Sequence, residues 1–327
     1  MDTLSISLPC FLVSGLIVIV AGRALAASAD DLAEQTRWGI LWVGTMLVSV
    51  VTSLPELTAN TTSVLIGSPS LALGNIFGSN MVNMVILSTI GIMFVSTKMF
   101  HGHGRDARTL AVAGTILGSI AIVASITGDI QIGIFSFGSI LIAVAYVAGM
   151  RLVRTANANV PIVQSMHSGT GTLAPGLKFA ISSSFIIAAA IVLAISADGI
   201  SEVTGLGTSF MGVLSMAIVT SLPEASVAIA AAVKGSYKLA IATLYGSCCF
   251  NFAIIPIIDT LTPDPVIRAM DPGHLVASIT ATIFMGMGTL LLIMSERASR
   301  VATLTLLILT MAAYPLAIMW VFRLSTS

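Results

Sequence analysis

The chain has 327 residues with balanced charge, 56% of them hydrophobic and 9% charged, and a mean hydropathy of +1.03. Soluble domains carry roughly 25% charged residues, so this composition excludes a water-soluble protein, and a net charge of zero gives no basis for a nucleic-acid partner. Cys10, Cys248 and Cys249 have neither a zinc-ligand spacing nor a comfortable disulfide geometry and read as small apolar packing residues.

A helix needs about 20 apolar residues to cross the hydrocarbon core. Ten segments qualify: 8–27, 40–65, 71–95, 109–127, 130–150, 179–197, 208–233, 239–258, 274–294 and 301–322. The start Met1-Asp2-Thr3 lacks the basic region of a signal peptide, so the first segment is expected to stay as a transmembrane helix. The longest polar interruption, 151–178, divides the chain. The expected architecture is an all-α polytopic membrane protein of ten transmembrane helices: five in 1–155, a cytoplasmic link over 156–178, and five in 179–327. With both termini outside, 12 of the 14 Lys and Arg fall on the cytoplasmic side, leaving only Arg268 and Arg323 outside. The outer links then carry Asp129, Asp198, Glu202, Asp259, Asp264 and Asp271. In a two-membrane bacterium the location is the inner membrane.

Sliding the sequence by 168 residues aligns 28–84 with 196–252 without a gap, and 20 of 57 positions are identical. The identities include Val51-Thr52-Ser53-Leu54-Pro55-Glu56 with Val219-Thr220-Ser221-Leu222-Pro223-Glu224, Gly78-Ser79 with Gly246-Ser247, and Asn83 with Asn251. Five helices per period is an odd number, so the two copies cross the membrane in opposite senses. Inverted repeats of this kind build secondary transporters, whose sites lie near the midplane between the repeats.

The repeated hexapeptide carries the chemistry. An acid at mid-membrane costs on the order of 3 kcal/mol, and a Pro inside a helix about as much again. Tolerating both, twice, points to function. Of the 14 acids, only Glu56 and Glu224 fall deep inside predicted spans, and no basic residue in another span is placed to pair with them. Their expected partner is an ion or a proton. Thr52 and Glu56 are four apart on one helical face, as are Thr220 and Glu224. Pro55 and Pro223 have no N–H to give the carbonyls of Val51 and Val219, which leaves backbone oxygens beside each carboxylate. Ser53, Ser221, Ser79, Asn83, Ser247 and Asn251 add hydroxyl and amide oxygens. An all-oxygen set suits a hard cation, and a flexible set of six to eight oxygens suits calcium over magnesium. Two glutamates balance one Ca²⁺. An empty, doubly charged site is costly to bury, so the site is expected to cross the membrane only when occupied, and this couples two ion fluxes.

These motifs resemble the cation/calcium exchanger superfamily, in particular its sodium/calcium exchanger branch, where T-S-x-P-E/D is followed by G-S-x-x-x-N/D in each of two inverted repeats. The resemblance implies that Glu56 and Glu224 bridge Ca²⁺ with the Thr52 and Thr220 carbonyls. It also implies that Ser53, Ser79, Asn83, Ser221, Ser247 and Asn251 complete Na⁺ sites. The first and sixth helices would slide as a unit over the other eight. The chain departs from the family pattern at Val51 and Val219, where Gly is usual, at Ala242-Thr243 against Gly74-Asn75, and at Cys248 against Asn80. Asn251 stands where potassium-dependent relatives carry Asp, and the 151–178 link has no room for a large regulatory domain.

Sequence reasoning therefore expects a Ca²⁺/Na⁺ antiporter acting as a monomer in the bilayer. Ca²⁺ and Na⁺ are its substrates, and it has no enzymatic activity and no cofactor. The alternative is Ca²⁺/H⁺ exchange through the same glutamates. A passive channel fits the inverted repeat less well, and an intramembrane enzyme using the two acids lacks a nucleophile motif or His partner beside them. Competing structural readings exist: Asn83 and Asn251 as polar glue between helices, Ser79 and Ser247 bonded to their own backbone, and Gly74, Gly78 and Gly246 as packing residues. His101 and His103, and Asp30 and Asp31, read as solvated.

Overall fold

The computed structural model describes residues 4–35, 48–94, 99–100, 104–156, 175–294 and 298–325. The start of the expected second span, His101, His103 and most of the central link lie outside the described residues, as do the side chains of Asp30 and Asp31. Helix α1 runs Leu4–Gln35, α2 Val48–Thr52, α3 Leu54–Leu65, α4 Pro69–Met93, α5 Arg105–Thr127 and α6 Phe137–Ala156. In the second half α7 is Pro175–Thr204, α8 Thr208–Thr220, α9 Leu222–Val233, α10 Tyr237–Asp259, α11 Pro272–Ile293 and α12 Arg300–Ser325. Among the described residues eight helices are long and apolar enough to cross a membrane alone, and α8 with α9, bent by 45°, passes the same test as a pair.

Two elements outrun their apolar stretches. At 1.5 Å per residue, the 32 residues of α1 and the 30 of α7 are longer than the roughly 30 Å hydrocarbon core. Both helices therefore extend beyond the expected spans 8–27 and 179–197. Asp198 and Glu202, expected on an outer link, belong to α7, because a helix continues into the headgroup region wherever polar side chains find partners. Asp198 takes one from the Ser68 hydroxyl. The expected fifth span also starts too early. Gln131–Ile132 (β1) and Phe135–Ser136 (β2) form a short antiparallel hairpin turned at Gly133 (φ +67°), and α6 begins after it.

The packing separates two bodies. The main core lies among α4, α5, α10, α11 and α12 and contains no residue of α1 or α7 among those described. Phe77 and Phe252 meet there with ring centroids 6.4 Å apart, and the Tyr245 hydroxyl donates to the Met285 carbonyl at 2.7 Å. Charged groups tie the ends of this body. Lys238 pairs with the buried Asp106 at 2.6 Å. The buried Asp259 carboxylate accepts the Ser136 and Val266 amides at 2.7 and 2.8 Å. Helices α1 and α7 instead pack along each other and reach the rest through two smaller apolar clusters.

Candidate cation site

Both hexapeptides break their helix at the serine. Ser53 and Ser221 each sit at the start of a new helix with Pro in its first turn, where a missing N–H costs nothing. The Ser53 and Ser221 carbonyls are taken at once, by Leu57 and Ala225 at 3.0 Å each. Pro55 and Pro223 offer no N–H to Val51 and Val219 one residue before Thr52 and Thr220. Each break thus removes one intrahelical donor and delivers a glutamate in the next turn.

Helix α10 packs against α2 and α4, and α4 also packs against α8, so the two breaks meet. The α4–α8 crossing is backbone on backbone. A Cβ on Gly74 would lie 2.6 Å from the Ser209 carbonyl oxygen, one on Gly212 2.5 Å from that of Leu71, and one on Gly78 would collide with the Val213 carbonyl. The packing role expected for Gly74 and Gly78 follows from these contacts. Opposite the glycines α8 widens into a π-helical stretch, Met211–Met216, a feature common at functional sites.

All ten sequence-predicted residues are buried here. Thr52 is 1% exposed, and Ser53, Glu56, Ser79, Asn83, Thr220, Ser221, Glu224, Ser247 and Asn251 are fully inaccessible. The two carboxylates lie within direct electrostatic range of each other. Glu224 is held across the repeat boundary: Ser53 donates to its Oε1 at 2.8 Å and Ser247 at 3.2 Å, and the two hydroxyls are 3.0 Å apart. Thr52 stands beside the same carboxylate. Thr220 stands beside Glu56 but outside hydrogen-bond geometry, and neither Glu56 oxygen has a partner among the described residues. Ser79 faces Thr220 at 3.4 Å, and Ser247 faces Glu224, so both hydroxyls face the site, against the backbone-bonded alternative. Asn251 donates to Asn80 Oδ1 at 3.0 Å and in that bond does act as glue, with its own oxygen left over. Among the described residues neither amide atom of Asn83 is partnered, nor is the Ser221 hydroxyl.

Sequence reasoning missed an asparagine wing. Asn60 Oδ1 accepts from Asn75 at 2.8 Å, and Asn75 Oδ1 accepts from Thr220 at 3.1 Å. Helical spacing is the signal that finds it, because Asn60 follows Glu56 by four residues and Asn75 precedes Ser79 by four. The repeat hid the wing, since Ala228 and Thr243 occupy the matching positions.

Unpartnered buried polar atoms are costly and call for an explanation. Here five of them are carboxylate or amide oxygens: both of Glu56, Glu224 Oε2, Asn83 Oδ1 and Asn251 Oδ1. The group is short of positive charge and rich in oxygen acceptors, a set that fits a hard cation as cargo. No three His, Cys, Asp or Glu group together among the described residues, so a soft, transition-metal type of site is not formed there.

A helical, multi-pass membrane bundle with two broken-helix glutamates enclosed at its centre belongs to the class of ion exchangers. A model of the sodium/calcium exchanger protein family matches residues 6–155 and 176–323, and the chain belongs to that family. CaxA of Alkalimonas amylolytica is 23% identical over 298 residues, covering 89% of this chain and 90% of that protein. The crystal structure of the H⁺/Ca²⁺ exchanger CAX superposes with a TM-score of 0.66 at 14% identity, over 97% of this chain and 90% of that one. The sodium-calcium exchanger NCX_Mj gives 0.59 at 15% identity, over 97% and 99%. These two likenesses establish the fold.

Proposed function

We propose that this protein is a secondary antiporter that exchanges Ca²⁺ for Na⁺ by alternating access, with Glu56 and Glu224 bridging the divalent ion. The observation that carries the reading is the buried pair of carboxylates from opposite repeats, with three of four oxygens unpartnered among the described residues. One Ca²⁺ balances their charge. Ser53, Ser79, Ser221, Ser247, Asn83 and Asn251 supply neutral oxygens that a monovalent ion needs once Ca²⁺ has left. Thr52 and Thr220 contribute at the breaks. The ten-helix plan of two inverted five-helix repeats, divided at 156–178, with both termini outside and the monomer as the working unit, belongs to the same reading. So does the inner membrane as its place in a two-membrane cell.

A second reading rests on the asymmetry of the pair. Glu224 is held by two hydroxyls while Glu56 is held by none, which makes Glu56 the natural acceptor of a proton in a Ca²⁺/H⁺ cycle. Proteoliposomes separate the two. With equal pH on both sides and Na⁺ inside, ⁴⁵Ca²⁺ uptake is expected to follow the Na⁺ gradient. Uptake that ignores Na⁺ and follows a pH gradient removes the sodium reading in favour of the proton one. Uptake that needs no counter-ion removes both.

A further inference from the structure

We infer that Asn60 and Asn75 are positioning residues for the cation site. They draw off the Thr220 hydroxyl proton, so that this hydroxyl faces Glu56 as an acceptor and both carboxylate oxygens are left to the ion. The identity of that ion as Ca²⁺ rests on the antiporter reading. Asn60 on α3, Asn75 on α4 and Thr220 at the end of α8 are all fully buried, so each polar hydrogen there finds a protein partner or none. A hydroxyl has one proton to give and two lone pairs to receive with. Thr220 gives its proton to Asn75 Oδ1 at 3.1 Å, and the Asn75 amide nitrogen is tied to Asn60 Oδ1 at 2.8 Å. With that proton engaged, the 3.4 Å contact between Ser79 and Thr220 makes Ser79 the donor. Ser79 also lies 3.5 Å from Asn75 Oδ1, so its proton stays in the same network.

Glu224 has the opposite surroundings. It receives the Ser53 and Ser247 hydroxyls at 2.8 and 3.2 Å. Ala228 and Thr243 stand where the first repeat has Asn60 and Asn75, and the Thr243 hydroxyl has no partner among the described residues. The second repeat therefore forms no matching relay there. Thr220 stands beside Glu56 as Thr52 stands beside Glu224, yet both Glu56 oxygens lack a hydrogen-bond partner among the described residues. A donor on a carboxylate oxygen must turn aside before a cation takes that oxygen, and a hydrogen bond to a charged group is worth roughly tenfold or more in binding. The asparagine pair keeps Glu56 clear of such a donor, and this accounts for the difference between the two glutamates.

The apparent KM for Ca²⁺ in ⁴⁵Ca²⁺ exchange by proteoliposomes tests this, with kcat read from the same curves. Asn75→Leu frees the Thr220 proton for Glu56 and is expected to raise KM roughly tenfold, the size of one hydrogen bond to a charged group, with kcat little changed. Asn60→Leu together with Asn75→Leu replaces both halves of a buried hydrogen bond by apolar groups, which disturbs a fold less than removing one half. It is expected to give the same rise in a chain that keeps its size-exclusion profile. Adding Thr220→Val to either variant removes the freed donor and is expected to bring KM back towards the parent's. In the parent, where Asn75 already holds that proton, Thr220→Val is expected not to lower KM. A parental KM in both Leu variants, a rise that Thr220→Val fails to reverse, or a KM lowered by Thr220→Val in the parent would each overturn the assignment, while Ca²⁺ exchange by the parent leaves the antiporter reading standing. A parent chain that exchanges no Ca²⁺ would remove that reading, and this inference with it.

Discussion

Glu56 and Glu224 are the same residue in two copies of one motif, yet their surroundings differ. Two hydroxyls point at Glu224, one from each repeat, while the Glu56 oxygens have no such donors. Glu56→Gln and Glu224→Gln each remove one of the two charges that balance a divalent ion, and both are expected to abolish ⁴⁵Ca²⁺ exchange in proteoliposomes. Normal size-exclusion profiles would separate this loss from misfolding, and exchange retained by either variant would sink the bridging role. Ser53→Ala deletes one hydrogen bond to the Glu224 carboxylate, worth about 1.5 kcal/mol or more for a charged acceptor. Its expected signature is a roughly tenfold rise in apparent KM for Ca²⁺ in an otherwise stable protein. An unchanged KM would mean that the hydroxyl serves packing alone.

At the scale of elements, the crossing of α4 over α8 fixes how closely the two breaks approach. Gly78→Val would press a branched side chain into the Val213 backbone, and overpacking of this kind costs roughly 1–3 kcal/mol. A lowered melting temperature in detergent is the expected readout, and a melting temperature equal to the parent's would show that the helices can separate without penalty. Helix α11 has its own anchor. Asp271 caps it, accepting the His274 amide at 2.9 Å while the His274 ring accepts the Asp271 amide at 3.1 Å. Half-burial pushes the Asp271 carboxyl up, but the hydrogen bonds it accepts at His274 and from the Ser209 hydroxyl hold it well below the usual carboxylate range. A carboxyl lowered on folding stabilises the fold above its unfolded pKa, near 4, and loses that contribution as pH falls through the folded value. Asp271→Ala is therefore expected to cost about 1 kcal/mol at neutral pH, as lost N-caps do. The penalty should shrink below about pH 4. A penalty that stays constant across that range would assign the effect to shape alone.

What the sequence disclosed at this scale, and what it hid, follows from physics. The hexapeptides were legible because Pro and Glu violate the rules of a membrane span, and a violation repeated 168 residues later is hard to overlook. The hairpin at Gln131–Ser136 was hidden, since Ile130, Ile132 and Ile134 look like the start of a span until Gly133 turns the chain. Span ends were hidden too, because apolarity stops at the edge of the hydrocarbon while α1 and α7 continue beyond it. The Asn60–Asn75 wing escaped because it occurs in one repeat only.

The whole molecule is organised by exchange between its halves. Helix α1 of the first repeat lies on the break of the second: a Cβ on Gly15 would meet Val219 at 3.0 Å, and one on Gly22 would meet Pro223 at 2.6 Å. Helix α7 of the second repeat packs in turn on α3, the helix after the first break. The two long helices thus cover the site from outside the main core, joined to it by small clusters, an arrangement suited to a sliding pair. In the proposed alternating-access cycle α1 moves past Val219 and Pro223. A disulfide between Gly15→Cys and Val219→Cys, with Cys10, Cys248 and Cys249 replaced by Ala, would fasten α1 to α8. Oxidised protein is expected to bind Ca²⁺ but to exchange it at a small fraction of the normal rate, and reduction should restore turnover. Full exchange with the cross-link intact would show that the pair stays fixed and that access is gated elsewhere.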